Sequence, residues 1–119
     1  MKLYQFLKNN MTIIDGLPIA DEICLIPLKI RAWIDLSEKE KQGIKVKKDD
    51  IAKHKNDVYR LSQLLTKRTL LDIPAQIKND VAYFTEHCVD DEKTLMDLGI
   101  ENISLHEIMS RLTLIYGVK

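Results

Sequence analysis

Glycine, proline and cysteine are scarce here: four, three and two residues in a chain of 119. Little glycine and proline argues against a turn-rich β fold and favours helices. Cys24 and Cys88 stand far apart with no Cys-x-x-Cys between them. That excludes a disulfide framework and a cysteine-built zinc site. Both lie in apolar surroundings, where buried free thiols are expected. No apolar run approaches the length of a membrane span. Net charge is also missing: 18 basic side chains balance 18 acidic ones. No overall pull toward nucleic acid or membrane follows. Gly16, Gly43, Gly99 and Gly117 are isolated, so there is no glycine-rich phosphate loop. His54, His87 and His106 form no metal-binding spacing, so no metal site is expected.

What is present suits a single soluble domain over residues 1–119, at 45% apolar and 30% charged residues. The first residues run into a mixed polar segment without the pattern of a secretory signal, so the cytoplasm is the expected compartment.

Periodicity predicts an all-α bundle of about five helices with a short extended N-terminal segment. Residues 2–9 read as a short helix with Leu3, Phe6 and Leu7 on one side. Residues 11–18 read as an extended segment ending in a turn. Such a segment is not expected to pair with itself, so it must pack on helices or join a sheet supplied elsewhere. A long helical pattern runs from about Asp21 to Gln42, with Asp21 as its cap and Gly43 as its stop. Pro27 predicts a kink or restart, and Ser37-Glu38-Lys39-Glu40 has the spacing of a capping box that could break the helix again. The next helix spans about Lys48 to Thr66, with Ile51, His54, Val58, Leu61 and Leu65 on one face. Asp72 and Pro74 open another, whose stripe is Ile77, Val81, Phe84 and Cys88. A short helix near Glu92–Leu98 stops at Gly99. Ser104 and Glu107 box the start of the last helix, which buries Leu105, Ile108, Leu112 and Ile115.

Charge is unevenly spread. Lysines dominate residues 39–60, whereas acids dominate residues 72–107. The bland reading is two solvated faces; the functional one is a basic surface for phosphate groups. No aromatic residue interleaves with these lysines, so base stacking is not supported and nucleic acid is not an expected partner.

The stretch Lys53-His54-Lys55-Asn56-Asp57-Val58-Tyr59-Arg60-Leu61 combines basic residues, a histidine and an aspartate on one helix. His54 lies on the apolar stripe, where a packed histidine with one hydrogen bond is the commoner case. Lys53–Asp57 and Asp57–Arg60 are spaced for helical ion pairs, each worth about 0.2–0.5 kcal/mol. Lys29 follows the apolar run Ile23–Leu28. It either snorkels to solvent or, if it lines a cleft, offers a point charge to a nucleotide phosphate.

Two segments carry a resemblance. Leu25-Ile26-Pro27-Leu28-Lys29-Ile30-Arg31-Ala32-Trp33-Ile34-Asp35-Leu36 resembles the third motif of the nucleotidyltransferase-like AbiEii toxin family, an apolar helix with a lysine. Asp50-Ile51-Ala52-Lys53-His54-Lys55-Asn56-Asp57-Val58-Tyr59-Arg60-Leu61 resembles the fourth, a helix with a basic residue and an aspartate. Tyr4-Gln5-Phe6-Leu7, Leu17-Pro18, Ile73-Pro74 and Ile115-Tyr116-Gly117 add matches, so the resemblance covers nearly the whole chain. It implies that Lys29 contacts nucleotide phosphates, that Asp57 supports the active site, and that Lys53 and His54 line or brace it. The family's first two motifs, a glycine/serine turn and a pair of metal-binding aspartates, have no counterpart before Lys29. Asp15 and Asp21 are single acids. The chain therefore resembles the C-terminal helical half alone. It is expected to be inactive in transfer unless a missing half supplies the site for magnesium and a nucleoside triphosphate. The implied histories are a truncated gene, a split protein or a start placed too far downstream. Implied partners are that half or an antitoxin. The alternative is a non-catalytic helical interaction module, a homodimer formed through an apolar N-terminal surface around Ile13, Ile14, Ile19 and Ile23.

Overall fold

The structure, a computed structural model, describes residues 12–14, 17–19, 22–65 and 73–118, with backbone alone at 12–14 and 17–19. Its elements are β1 (Thr12–Ile14), β2 (Leu17–Ile19), α1 (Glu22–Lys41), α2 (Lys48–Ser62), α3 (Ala75–His87), α4 (Glu92–Asp97) and α5 (Leu105–Ile115). The fold is an all-α bundle preceded by a small hairpin. The helix expected over 2–9 and the caps Asp21 and Asp72 lie outside the described residues, as does the first of the resemblance matches.

The extended segment does pair with itself, contrary to expectation. β1 and β2 are antiparallel, with Ile14 opposite Leu17 and Thr12 opposite Ile19. Only Asp15-Gly16 separates them in sequence, and Asp-Gly is a strong two-residue hairpin signal. The N-terminal apolar surface needs revision too. Ile23 is fully buried in the helical core and cannot belong to an exposed patch.

Helix α1 is the spine of the core. Ile23, Ile26, Ile30, Trp33 and Ile34 recur at helical spacing and are all buried. Its end is set by Gly43, whose φ of 82° is open to glycine at little cost. The Gly43 N–H donates to the Glu40 carbonyl and the Ile44 N–H to the Lys39 carbonyl, which caps the last turn. A short loop then returns the chain as α2, packed antiparallel along α1. Helix α3 docks on α1 through Ile77, Val81 and Phe84, as the stripe predicted. The Ser104 hydroxyl accepts from the Glu107 N–H at the start of α5, and Ile108, Leu112 and Ile115 close the core.

Neither the restart expected at Pro27 nor the break expected at Ser37–Glu40 occurs in α1. The helix runs unbroken for 20 residues through Pro27 and through Ser37–Glu40. Proline at 27 has no N–H to give the carbonyl of Ile23, one turn earlier. The buried Tyr116 hydroxyl donates to that carbonyl at 2.9 Å. A side chain from just beyond α5 thus supplies the hydrogen bond that the proline withholds. Helix α2 also ends earlier than expected, at Ser62. Its fully buried residues are Val58, Tyr59 and Ser62, while Ile51, His54 and Leu61 are half-buried. Of the expected stripe, Val58 and Leu65 are buried and Ile51 and Leu61 pack against the core; Tyr59 and Ser62, outside the stripe, are buried as well.

Replacing Tyr116 by Phe should cost about 1–2 kcal/mol, because a buried carbonyl loses a donor. In a Pro27→Ala background the helix regains its own N–H, so the same replacement should cost measurably less. Urea denaturation of the four proteins checks both statements; equal costs in the two backgrounds would contradict the coupling.

Candidate functional site

Lys29 on α1 and Asp57 on α2 meet across the helix pair. Lys29 Nζ lies 3.0 Å from Asp57 Oδ2, with side-chain exposures of 32% and 22%. Arg60 Nη1 approaches the other oxygen, Oδ1, at 3.6 Å. One carboxylate therefore stands between two cations from different helices, and the trio carries net positive charge. At this exposure each contact contributes about 0.2–1 kcal/mol. The arrangement fixes position more than it stabilises.

The expected Lys53–Asp57 pair does not form. Lys53 is exposed, and the carboxylate turns to Lys29 instead. A lysine placed before its acid at this helical spacing has the weaker orientation, and the half-buried Lys29 is less screened. The Asp57–Arg60 pair does form. His54 sits half-buried one turn before Asp57, and its Nδ1 is shielded from solvent without a hydrogen-bond partner. The single hydrogen bond expected of a packed histidine is not made at that nitrogen. Asn56 Oδ1 is likewise shielded and unpaired. The structure thus gathers Lys29, Asp57 and Arg60 into one cluster, with His54 on the adjoining turn and Lys53 on the solvent side.

Two further polar clusters were not read from the sequence. On the α3 side of α1, Arg31 donates to Asp80 at 2.8 Å and to Asp35 at 2.7 Å, and Gln76 donates to Asp80 at 2.8 Å. Burial pushes the Asp80 carboxyl up despite the Arg31 guanidinium. On the other side, Asp90 gathers α2 to the α3–α4 connection. Its Oδ2 accepts from Lys55 Nζ at 2.7 Å and from the Tyr59 hydroxyl at 3.1 Å. Its Oδ1 accepts from the Thr94 hydroxyl and from the Asp91 N–H. Tyr59 Oη also lies 3.3 Å from Cys88 Sγ. A phenol has one proton; with that proton given to the carboxylate, the thiol is the donor to Tyr59. Burial pushes both the Tyr59 hydroxyl and the Cys88 thiol up, so both stay protonated. Asp91 caps α4 by accepting from the Thr94 N–H. Asp90, its neighbour, does a different job, joining α2 to the α3–α4 connection.

Both cysteines are buried, as expected. Among the described residues no helix is long and apolar enough to cross a membrane. Comparison with protein-family models, curated proteins and solved structures finds no match.

Burial alone would raise the Asp90 carboxyl, but hydrogen bonds from Lys55 and Thr94 hold it below its ordinary value. A depressed carboxylate contributes stability above the ordinary Asp range, near about 4, and loses it as pH falls through the folded-state value. Asp80, raised on folding, acts in the opposite sense. The stability gap between wild type and Asp90→Asn isolates the first effect. It should be largest near neutrality and shrink on acidification below about pH 4. Denaturation midpoints measured across that range check it, and a gap that widens in acid would contradict the assignment.

Proposed function

We propose that this chain is the helical part of a nucleotidyltransferase-like protein of the toxin–antitoxin or abortive-infection type. It supplies phosphate contacts and does not transfer a nucleotide alone. The observation that carries this reading is the meeting of Lys29 with Asp57 across α1 and α2. These are the lysine and the aspartate of the two segments that resemble the family's helical motifs.

The chemistry follows from the charges. A phosphate oxygen can take over the Lys29 ammonium, which is a mobile point donor on a flexible stem. Arg60 offers a second, planar donor. Asp57 holds the two cations near each other, offsetting their repulsion while no anion is bound. On this reading Lys53 and His54, on the neighbouring turn of α2, line or brace the cluster. The role left to this chain is to bind and orient a triphosphate.

Magnesium, in such a protein, would neutralise charge on the attacking and leaving oxygens. Asp57 does not suit that ion, because its carboxylate is already clasped by two cations. Among the described residues no three His, Cys, Asp or Glu side chains are grouped to hold a metal. The paired acids of the family belong to its other half, and a separate chain or an antitoxin is the partner this reading calls for.

Titration of the chain with ATP and the other nucleoside triphosphates, followed by amide NMR, tests the reading. Weak, salt-sensitive binding should shift signals around Lys29, Asp57 and Arg60. Lys29→Met should weaken it by at least about tenfold, the loss of one charge-assisted contact, while Lys78→Met on the exposed side of α3 should leave it unchanged. Absence of shifts near Lys29, or equal binding by Lys29→Met, would overturn the proposal.

A further inference from the structure

The lysine-rich end of the α1–α2 pair holds an open groove of about 290 Å³, lined by Trp33, Glu40, Lys48, Ile51, Ala52 and Lys55. Its floor is apolar and its rim mostly basic. Residues 39–55 carry seven lysines against three acids. Of these lysines, Lys55 alone has an ion-pair partner among the described residues. Trp33 is only 9% exposed, and its ring packs edge-on against Phe84 at 5.1 Å. It has no open face on which a nucleic-acid base could stack. The groove suits an aliphatic side chain flanked by carboxylates.

The same molecule presents that chemistry. Residues 90–107 carry six acids against one lysine. Within and beside them two apolar side chains stand in solvent, Val89 at 89% exposure and Met96 at 71%. Asp97 and Glu101 flank Met96 and are exposed, without an ion pair among the described residues. The two surfaces are neighbours: Lys55 on the groove rim bonds Asp90 at the start of the acidic segment. A donor patch beside its complementary acceptor patch is the layout of a self-complementary, twofold interface. Zero net charge leaves no long-range repulsion between copies.

We propose that this face pairs two copies of the chain. The Met96 and Val89 side chains of each copy lie over the α1–α2 groove of the other, and Asp97 and Glu101 meet the lysines of the groove rim. The interaction belongs to the small, salt-sensitive class of interfaces. It shares no residue with the Lys29–Asp57–Arg60 cluster, so the two proposals stand or fall separately.

Sedimentation of the whole chain over a range of concentrations tests it. A dimer should form at low ionic strength and dissociate at about 1 M salt, where screening acts within about 3 Å. Two charge-reversal variants change only exposed residues: Lys47→Glu with Lys48→Glu, and Asp97→Lys with Glu101→Lys. Each alone should weaken the dimer by at least about tenfold through like-charge contact. Mixing the two should restore association between them, and circular dichroism should show both folded. A chain monomeric at every concentration, or a dimer indifferent to the reversals, would overturn the proposal. So would a monomer that binds an acidic peptide or an oligonucleotide through these lysines, since the occupant would then not be a second copy.

Discussion

The buried ridge of α1 is the constraint on which the described structure depends. Ile23, Ile26, Ile30, Trp33 and Ile34 leave solvent together, each contributing about 1.5–3 kcal/mol against the cost of ordering the chain. Helices α2 and α3 dock on this ridge, and α5 packs on both of them. Tyr116, beyond α5, ties the far end of the chain to the first turn of α1 at Ile23. The edges of the ridge are polar. Lys29 on one edge reaches Asp57 of α2, and Arg31 on the other reaches Asp80 of α3. One ion pair for each docked helix adds little stability and ties that helix to one edge of the spine.

That same geometry produces the candidate site. The antiparallel return at Gly43 places residue 57 opposite residue 29, and α2 buries Tyr59 and Ser62 more deeply than Ile51 and Leu61, which still pack against the core. Asp57 is left at the seam between the helices, half-exposed, where it holds Lys29 and Arg60 together. At the seam the Lys29 and Asp57 side chains keep exposures of 32% and 22%, so both still meet solvent. Farther along the helix pair the seam widens into the groove floored by Trp33 and Ile51. The two ends of one helix pair therefore differ in character, one polar and compact, the other apolar and ringed by lysines.

How much of this was legible in the sequence depends on range. Gly43, Gly99, the Ser104–Glu107 cap and the Ile77–Val81–Phe84–Cys88 stripe are local signals, and each element they mark is present. Pro27 does not restart the helix, and the carbonyl it leaves without its N–H is met by Tyr116, distant in sequence. Asp15-Gly16 was a local signal left unused, and the hairpin followed from it. Within α2 the stripe named Val58 but not Tyr59, whose hydroxyl finds partners at Asp90 and Cys88 that no periodicity within α2 could indicate. The same holds for the candidate site. Spacing along one helix favoured Lys53 as the partner of Asp57, whereas its partner Lys29 lies on α1, which no spacing within α2 could indicate.

The central claim is that Lys29 and Asp57 form one unit across α1 and α2. A double-mutant cycle with Lys29→Met and Asp57→Asn, read by urea denaturation at low salt, measures it directly. The account predicts that the two replacements are not additive, with a coupling of about 0.5–1 kcal/mol that fades as salt is raised. A coupling of zero at low salt would contradict it, because Lys29 and Asp57 would then not be partners and the cluster proposed to bind phosphate would not exist.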